Sequence, residues 1–245
     1  MCENCVLDRK IRLGSSRRSF IHLGVSALGV AFAGRAFAKD KAPPKPQNVL
    51  SPDASLKRLM DGNARYVDGV TRRHDFKHER EALAGGQNPF AAVLSCADSR
   101  IAPEYAFDTS RGDLFVCRVA GNFAGTETIA SMEYAVAVLN TPLVLVLGHD
   151  ACGAVDATLK AIKDNTSPPG HIPSLVDAIA PAAKAAMQQG GEVLDRAIRQ
   201  NVIDNVAKLK SAAPILNAAV EQGKLKIAGG VYRLTTGTVE LIAQG

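Results

Sequence analysis

The chain has 245 residues, of which 47% are apolar, 22% charged and 5% aromatic, with no Trp. That composition belongs to an ordinary globular protein long enough to bury its own core, and it excludes a disordered chain and a multi-span membrane protein. The net charge of +5 gathers at the start, where residues 1–38 carry six Lys or Arg against two acids, so the near-neutral body has no charge signature for nucleic acid.

Ser16-Arg-Arg-Ser-Phe20 opens a short Ala/Gly-rich apolar run that ends in Ala36-Phe-Ala38, a small-x-small cleavage pattern. Gly24, Gly29 and Gly34 weaken a packed helix here, and Arg35 weakens a membrane span. The segment resembles a twin-arginine export signal. That resemblance implies removal of residues 1–38, engagement of export machinery and delivery to a bacterial periplasm. Residues 39–52, rich in Lys and Pro, read as a linker. The folded domain is expected over 53–245.

Ser51-Pro-Asp starts a helix, with Leu56, Leu59 and Met60 as its apolar stripe. Three apolar runs of strand length follow: Phe90–Leu94 leading to Cys96, Leu114–Ala120, and Leu143–Leu147 leading to His149. Their near-continuous apolar character predicts strands buried on both faces, as in a parallel sheet. Ile129, Met132, Val136 and Leu139 mark a helix that Thr126 can cap, and Val155, Leu159 and Ile162 mark another. A Pro/Gly loop spans 163–173, and two or three Ala-rich helices occupy 174–222. Leu225–Leu234 and Thr238–Ile242, on either side of a Thr-Thr-Gly turn, read as a strand pair. The fold class is therefore α/β, with a mostly parallel central sheet, flanking helices and a C-terminal strand pair.

The five Cys and five His sort by position. Cys2 and Cys5 form a C-x-x-C inside the segment expected to be removed, His22 lies there too, and His74, His78 and His171 lie in charged or loop stretches. Cys117 sits mid-strand and reads as a core residue. That leaves Cys96 and His149, each at the carboxyl end of a strand, and Cys152, three residues on at a helix start. In an open α/β sheet such strand ends converge. A helix N-terminus favours the thiolate, and two thiolates with one imidazole suit Zn²⁺ with its fourth tetrahedral position open. Asp98 and Arg100 stand two apart in the turn after Cys96, where carboxylate and guanidinium can pair. A paired Asp stays ionised and can accept a hydrogen bond from a metal-activated water. A turn-stabilising ion pair is the plainer alternative.

Cys96-Ala-Asp-Ser-Arg100 together with His149-Asp-Ala-Cys-Gly153 resembles the zinc-site motifs of the β-class carbonic anhydrases. Gly112-Asp-Leu-Phe-Val-Cys-Arg-Val-Ala-Gly-Asn122, Glu133-Tyr-Ala-Val136 and Gly230-Val-Tyr-Arg-Leu-Thr-Thr-Gly237 are similar to further segments of that family, so the likeness covers most of 53–245. It implies Cys96, His149 and Cys152 as ligands of one Zn²⁺ per subunit, and Asp98 with Arg100 as the catalytic dyad. It also implies Gln87, Phe115 and Tyr134 as substrate-pocket residues largely supplied across a homodimer interface, with Gly153 beside the zinc. Residues 53–245 then form a zinc-dependent catalytic domain that reversibly hydrates carbon dioxide to bicarbonate and a proton, in a homodimer or higher homo-oligomer. Two departures stand out. Val119 replaces the Asn that often follows this Arg in the family, which questions the loop's hydrogen bonding. The lack of Trp is unlike the subgroup with a Trp-lined non-catalytic bicarbonate site, and so points to a constitutively open zinc site. Two rival readings share these residues: a hydrolase of another heterocumulene such as CS₂ or COS, and a non-catalytic zinc- or bicarbonate-binding protein.

Overall fold

The computed structural model describes residues 50–244. The expected export signal, Cys2, Cys5 and nearly all of the linker lie outside the described residues. Helix α1 (Pro52–Val67) begins as its sequence dictates, with the Ser51 hydroxyl accepting the Ala54 amide and Pro52 in the first turn. Helix α1 thus starts one residue inside the segment read as linker.

Five strands form one sheet: β1 (Ala91–Ser95), β2 (Leu114–Arg118), β3 (Leu143–His149), β4 (Lys226–Tyr232) and β5 (Val239–Ala243). Their order is β2-β1-β3-β4-β5, parallel except for the antiparallel β4–β5 pair. This is the expected α/β fold with its C-terminal strand pair. Side chains alternate between the two faces of the sheet. Ala92, Leu94, Val144 and Val146 enter one apolar cluster, whereas Ala91, Val93, Leu143, Leu145 and Leu147 enter the other. The first cluster is covered by α4 (Thr126–Ala137), α5 (Gly153–Lys163), α6 (Pro173–Met187), α7 (Val193–Lys210) and α8 (Leu216–Glu221). The second is covered by α1 and the short α3 (Pro103–Ala106).

Three expectations need correction. β2 is an edge strand and only half-buried, because β1 covers just one of its sides. Cys117 on it is half-buried, packing against the core from the sheet edge rather than inside it; burial pushes its thiol up, against a hydrogen bond with Ser131. Thr126 is the first residue of α4, and Gly125 occupies the cap position without a side-chain bond. Helix α2 (Phe76–Leu83) is not among the elements predicted from the sequence, although Asp75 is a residue type that starts helices. It buries no residue, and its start is the Asp75 carboxylate accepting the His78 amide.

α1 meets α3 backbone to backbone. A Cβ on Gly62 would lie 1.9 Å from the Phe107 carbonyl oxygen. One residue on, the Asn63 amide donates to the Ala106 and Gly237 carbonyls at 2.9 and 2.8 Å, and its oxygen accepts the Val239 amide at 2.9 Å. α1 therefore clamps α3 to the β4–β5 turn. Gly62→Ala should destabilise the protein by about 3 kcal/mol or more, since the obstructing atom is backbone and cannot rotate away. Urea unfolding measures this, and an unchanged midpoint would refute the close approach.

Candidate metal centre

Cys96 follows β1, His149 ends β3, and Cys152 is the N-cap of α5. β1 and β3 are neighbours in parallel register, so their carboxyl ends open at the same edge of the sheet. All three residues are buried, and their ligand atoms lie within 4.8 Å of one another. The two Sγ atoms are 3.9 Å apart. Ligands at about 2.3 Å (S) and 2.0–2.1 Å (N) from a tetrahedral zinc stand roughly 3.6–3.8 Å from each other, so this spacing fits the ion.

The protonation pattern also fits. His149 Nδ1 donates to the Asp150 carbonyl at 2.8 Å, which leaves Nε2 as the lone-pair nitrogen. Nε2 is fully buried and makes no hydrogen bond of good geometry, and against burial the Cys96 sulfur and the Asp98 carboxylate near it push the imidazole up. An orphaned buried acceptor is costly unless something binds it, and a metal ion answers that need. The Cys96 thiol is drawn down to about 4, first by the Cys152 thiol, then by His149 and the Gly121 amide, against burial. Cys152 is pushed up by that Cys96 thiolate and by burial. Two sulfurs this close hold one proton between them, and a divalent cation is what lets both ionise.

Asp98 and Arg100 pair at two points: Arg100 Nε to Asp98 Oδ1 at 2.9 Å and Nη2 to Oδ2 at 2.6 Å. The Arg100 amide adds a third bond to Oδ1 at 2.9 Å. The guanidinium, with that amide, holds the Asp98 carboxyl well below the usual carboxylate range, against some desolvation. Asp98 Oδ2 stands 3.8 Å from His149 Nε2, so the ionised carboxylate faces the ligand group.

Backbone contacts that the sequence did not reveal hold this arrangement. Arg118, at the end of β2, donates to the carbonyls of Cys96 (3.0 Å), Asp98 (2.7 Å) and Ile101 (2.9 Å) and so shapes the turn that carries Asp98. Gly121, at φ +83, turns its amide onto Cys96 Sγ at 3.3 Å. A side chain there would strike Ile179. Buried Asn201 and Asn205 pin the same loop through the Gly121 carbonyl and the Ala124 amide. Val119 leaves the loop's bonding intact, because its main chain bonds the Ser95 carbonyl and the Ala97 and Asn122 amides.

The structure thus brings together Cys96, Asp98, Arg100, His149 and Cys152. Gly153 opens α5 beside Cys152, with open space where its side chain would be. Gln87 is exposed in the connection before β1. Phe115 pairs in register with Ala92 on β1, and its ring tilts against Tyr134 of α4 at 6.3 Å. Tyr134 is 47% exposed. A groove lined by Tyr66, His74, Phe76, Tyr105 and Leu114 shares no residue with the ligand group, so ligand chemistry identifies the centre.

Comparison with known proteins agrees. The family model described as carbonic anhydrase matches residues 91–239. The chain is 40% identical over 192 residues to carbonic anhydrase 2 of Mycobacterium tuberculosis, covering 78% of this chain and 93% of that protein. Its fold is similar to the Coccomyxa β-carbonic anhydrase solved with acetazolamide (TM-score 0.61, 28% identity, 76% of this chain and 86% of that one). It is similar also to a tetrameric β-carbonic anhydrase of Sordaria macrospora (TM-score 0.59, 26% identity, 68% and 86%). A parallel sheet that delivers two thiols and an orphaned imidazole nitrogen to one edge, in a sequence this close to known members, places the chain in the β-class carbonic anhydrase family as a zinc-using carbonic anhydrase.

Proposed function

We propose that the chain interconverts carbon dioxide and bicarbonate, CO₂ + H₂O ⇌ HCO₃⁻ + H⁺, with Cys96, His149 and Cys152 holding zinc and Asp98 and Arg100 acting as its dyad. Zinc held there supplies the Lewis acidity that makes water a nucleophile near neutral pH. Asp98 accepts a hydrogen bond from the attacking oxygen and aims its free lone pair at the carbon. Arg100 keeps Asp98 ionised and turned to that task. The Ala151 carbonyl accepts Arg100 Nη2 at 3.2 Å and so anchors the guanidinium from the other side of the site. The observation that carries this reading is the two-point Asp98–Arg100 pair facing the ligand group. Storing zinc requires no such pair. With its carboxylate committed to Arg100, Asp98 would stay off a zinc held by Cys96, His149 and Cys152, which is the open form of the site.

Gln87, Phe115, Tyr134 and Gly153 are proposed to line the substrate pocket, the first three across a subunit interface. The exposure of Gln87 and Tyr134 in one chain and the tetrameric relative from Sordaria macrospora support a homodimer or larger assembly. Sedimentation should show no active monomer. Stopped-flow assays on the zinc-loaded protein with CO₂, CS₂ and COS separate the readings. Fast hydration of CO₂ is expected; turnover confined to CS₂ or COS favours the other heterocumulene hydrolase, and zinc binding without turnover favours a storage role.

Export to the periplasm as a folded, zinc-loaded protein is proposed on Arg17 and Arg18. A route that accepts folded cargo suits a chain whose metal can be loaded in the cytosol. With Cys96 and Cys152 committed to zinc, Cys117 is left without a disulfide partner among the described residues. Replacing Arg17 and Arg18 by Lys should strand the protein in the cytoplasm, as cell fractionation would register. Normal export of that variant would instead indicate the general secretory route.

A further inference from the structure

The aspartate between the metal ligands has a task that the dyad does not cover. Asp150 makes three bonds in three directions. Its carbonyl accepts His149 Nδ1–H at 2.8 Å, its amide donates to the Tyr232 carbonyl at 3.1 Å, and its Oδ1 accepts the Leu234 amide at 2.8 Å. The next residue, Ala151, has φ +50, a left-handed conformation that a non-glycine residue keeps only where its surroundings impose it. The Ala151 carbonyl in turn receives Arg100. One strained turn therefore sets the ring of His149 and one anchor of the dyad.

The far end of the side-chain bond is itself braced. Leu234 follows Arg233, whose guanidinium bonds Asp195 of α7 and Glu240 of β5, each at 2.7 Å. The Arg233 backbone closes the β4–β5 turn through the Thr238 carbonyl at 2.9 Å and the Gly237 amide at 2.7 Å. Asp150 thus ties the turn between the two metal ligands to a fixed point on the hairpin and α7.

We propose that Asp150 is a positioning residue for the zinc centre: its carboxylate oxygen, as an acceptor for the Leu234 amide, holds the 149–152 turn in the shape that presents His149 Nε2 and Cys152 Sγ together. The inference rests on the reading of Cys96, His149 and Cys152 as the zinc ligands. Groups that orient a metal-bound histidine commonly matter about 10–100-fold in metal affinity.

The test compares Asp150→Ala with Asp150→Asn in the full chain, using zinc competition against a chromophoric chelator and the visible absorption of the Co²⁺-substituted protein. Asp150→Ala should lose about 10–100-fold in zinc affinity and shift the Co²⁺ bands. Asp150→Asn keeps an acceptor oxygen for Leu234 and should stay within about threefold of wild type. Wild-type affinity and spectrum in the Ala variant would overturn the proposal. So would an Asn variant as impaired as Ala, since charge rather than the acceptor would then be at work. Should the Ala variant not fold, amide exchange in the wild type decides. Removing zinc should speed exchange at the Leu234 amide by about tenfold or more, because coupling between the two ends is reciprocal; an indifferent amide defeats the proposal. If Cys152→Ser retains zinc, the ligand reading itself has failed. If it loses zinc while Asp150→Ala does not, only the positioning role has.

Discussion

Replacing Cys152 with Ser should strip the protein of zinc and of activity, while the same replacement at Cys117 should do neither. The two cysteines start from similar sequence settings, each at or beside an apolar stretch, and the fold separates them. Cys152 is 1% exposed, caps α5 and has its sulfur 3.9 Å from that of Cys96. Cys117 lies on the edge strand and is not among the grouped ligands. A serine hydroxyl does not ionise in the range where a thiol held at a helix N-terminus does, so Cys152→Ser removes a negative ligand as well as a soft one. Loss of more than about 100-fold in zinc affinity is expected, since even an indirect partner of a ligand matters up to that much. Elemental analysis after gel filtration measures the zinc per chain. Both variants retain Cys2 and Cys5, so any metal held by those two cancels in the comparison. Stoichiometric zinc and full hydration in Cys152→Ser would mean that the ion sits elsewhere.

The parts of the site legible in the sequence were those whose chemistry is carried by side chains at strand ends. Cys96 and His149 close apolar runs, and an H-x-x-C at a strand-to-helix junction is a spacing that suits a metal site. The residues that hold them in place were not legible. Arg118 acts on the carbonyls of residues 96, 98 and 101, and Gly121 acts through its own amide. Asp150 acts through its carbonyl and on the amide of Leu234, which lies 84 positions along the chain. Backbone groups are the same at every position, so no residue pattern announces which will be met. Likewise, apolar runs predicted the strands but not their order. β2 and β3 read alike in sequence, and only the pairing of β1 with both puts β2 at the edge and β3 inside. α2 escaped notice because it is eight residues long and has only Phe76 and Leu83 as large apolar residues, too few to show a repeating stripe, although Asp75 could have marked its start.

Asp98→Asn should separate catalysis from metal binding. The substitution keeps the size of the side chain and removes its charge. Arg100 loses the two-point partner it now holds at 2.6 and 2.9 Å, and the new amide can offer a donor where an acceptor stood. Zinc should remain, because among the described residues the grouped ligands are Cys96, His149 and Cys152, without Asp98. Hydration should fall by about 10²-fold or more, the scale of losing a positioned proton-handling or orienting group. The pH dependence makes the test specific. Asp98 is held well below the usual carboxylate range, chiefly by the Arg100 guanidinium, so it stays ionised at any pH where the folded enzyme would be assayed. Its own titration therefore cannot produce a limb in the neutral or alkaline profile. Wild-type activity should rise toward alkaline pH as the nucleophile ionises, and Asp98→Asn should remain low across the same range, because ionisation does not restore orientation. Full recovery of the variant at high pH would show that Asp98 only helps the water to ionise, and the lone-pair-directing role assigned to it would be wrong.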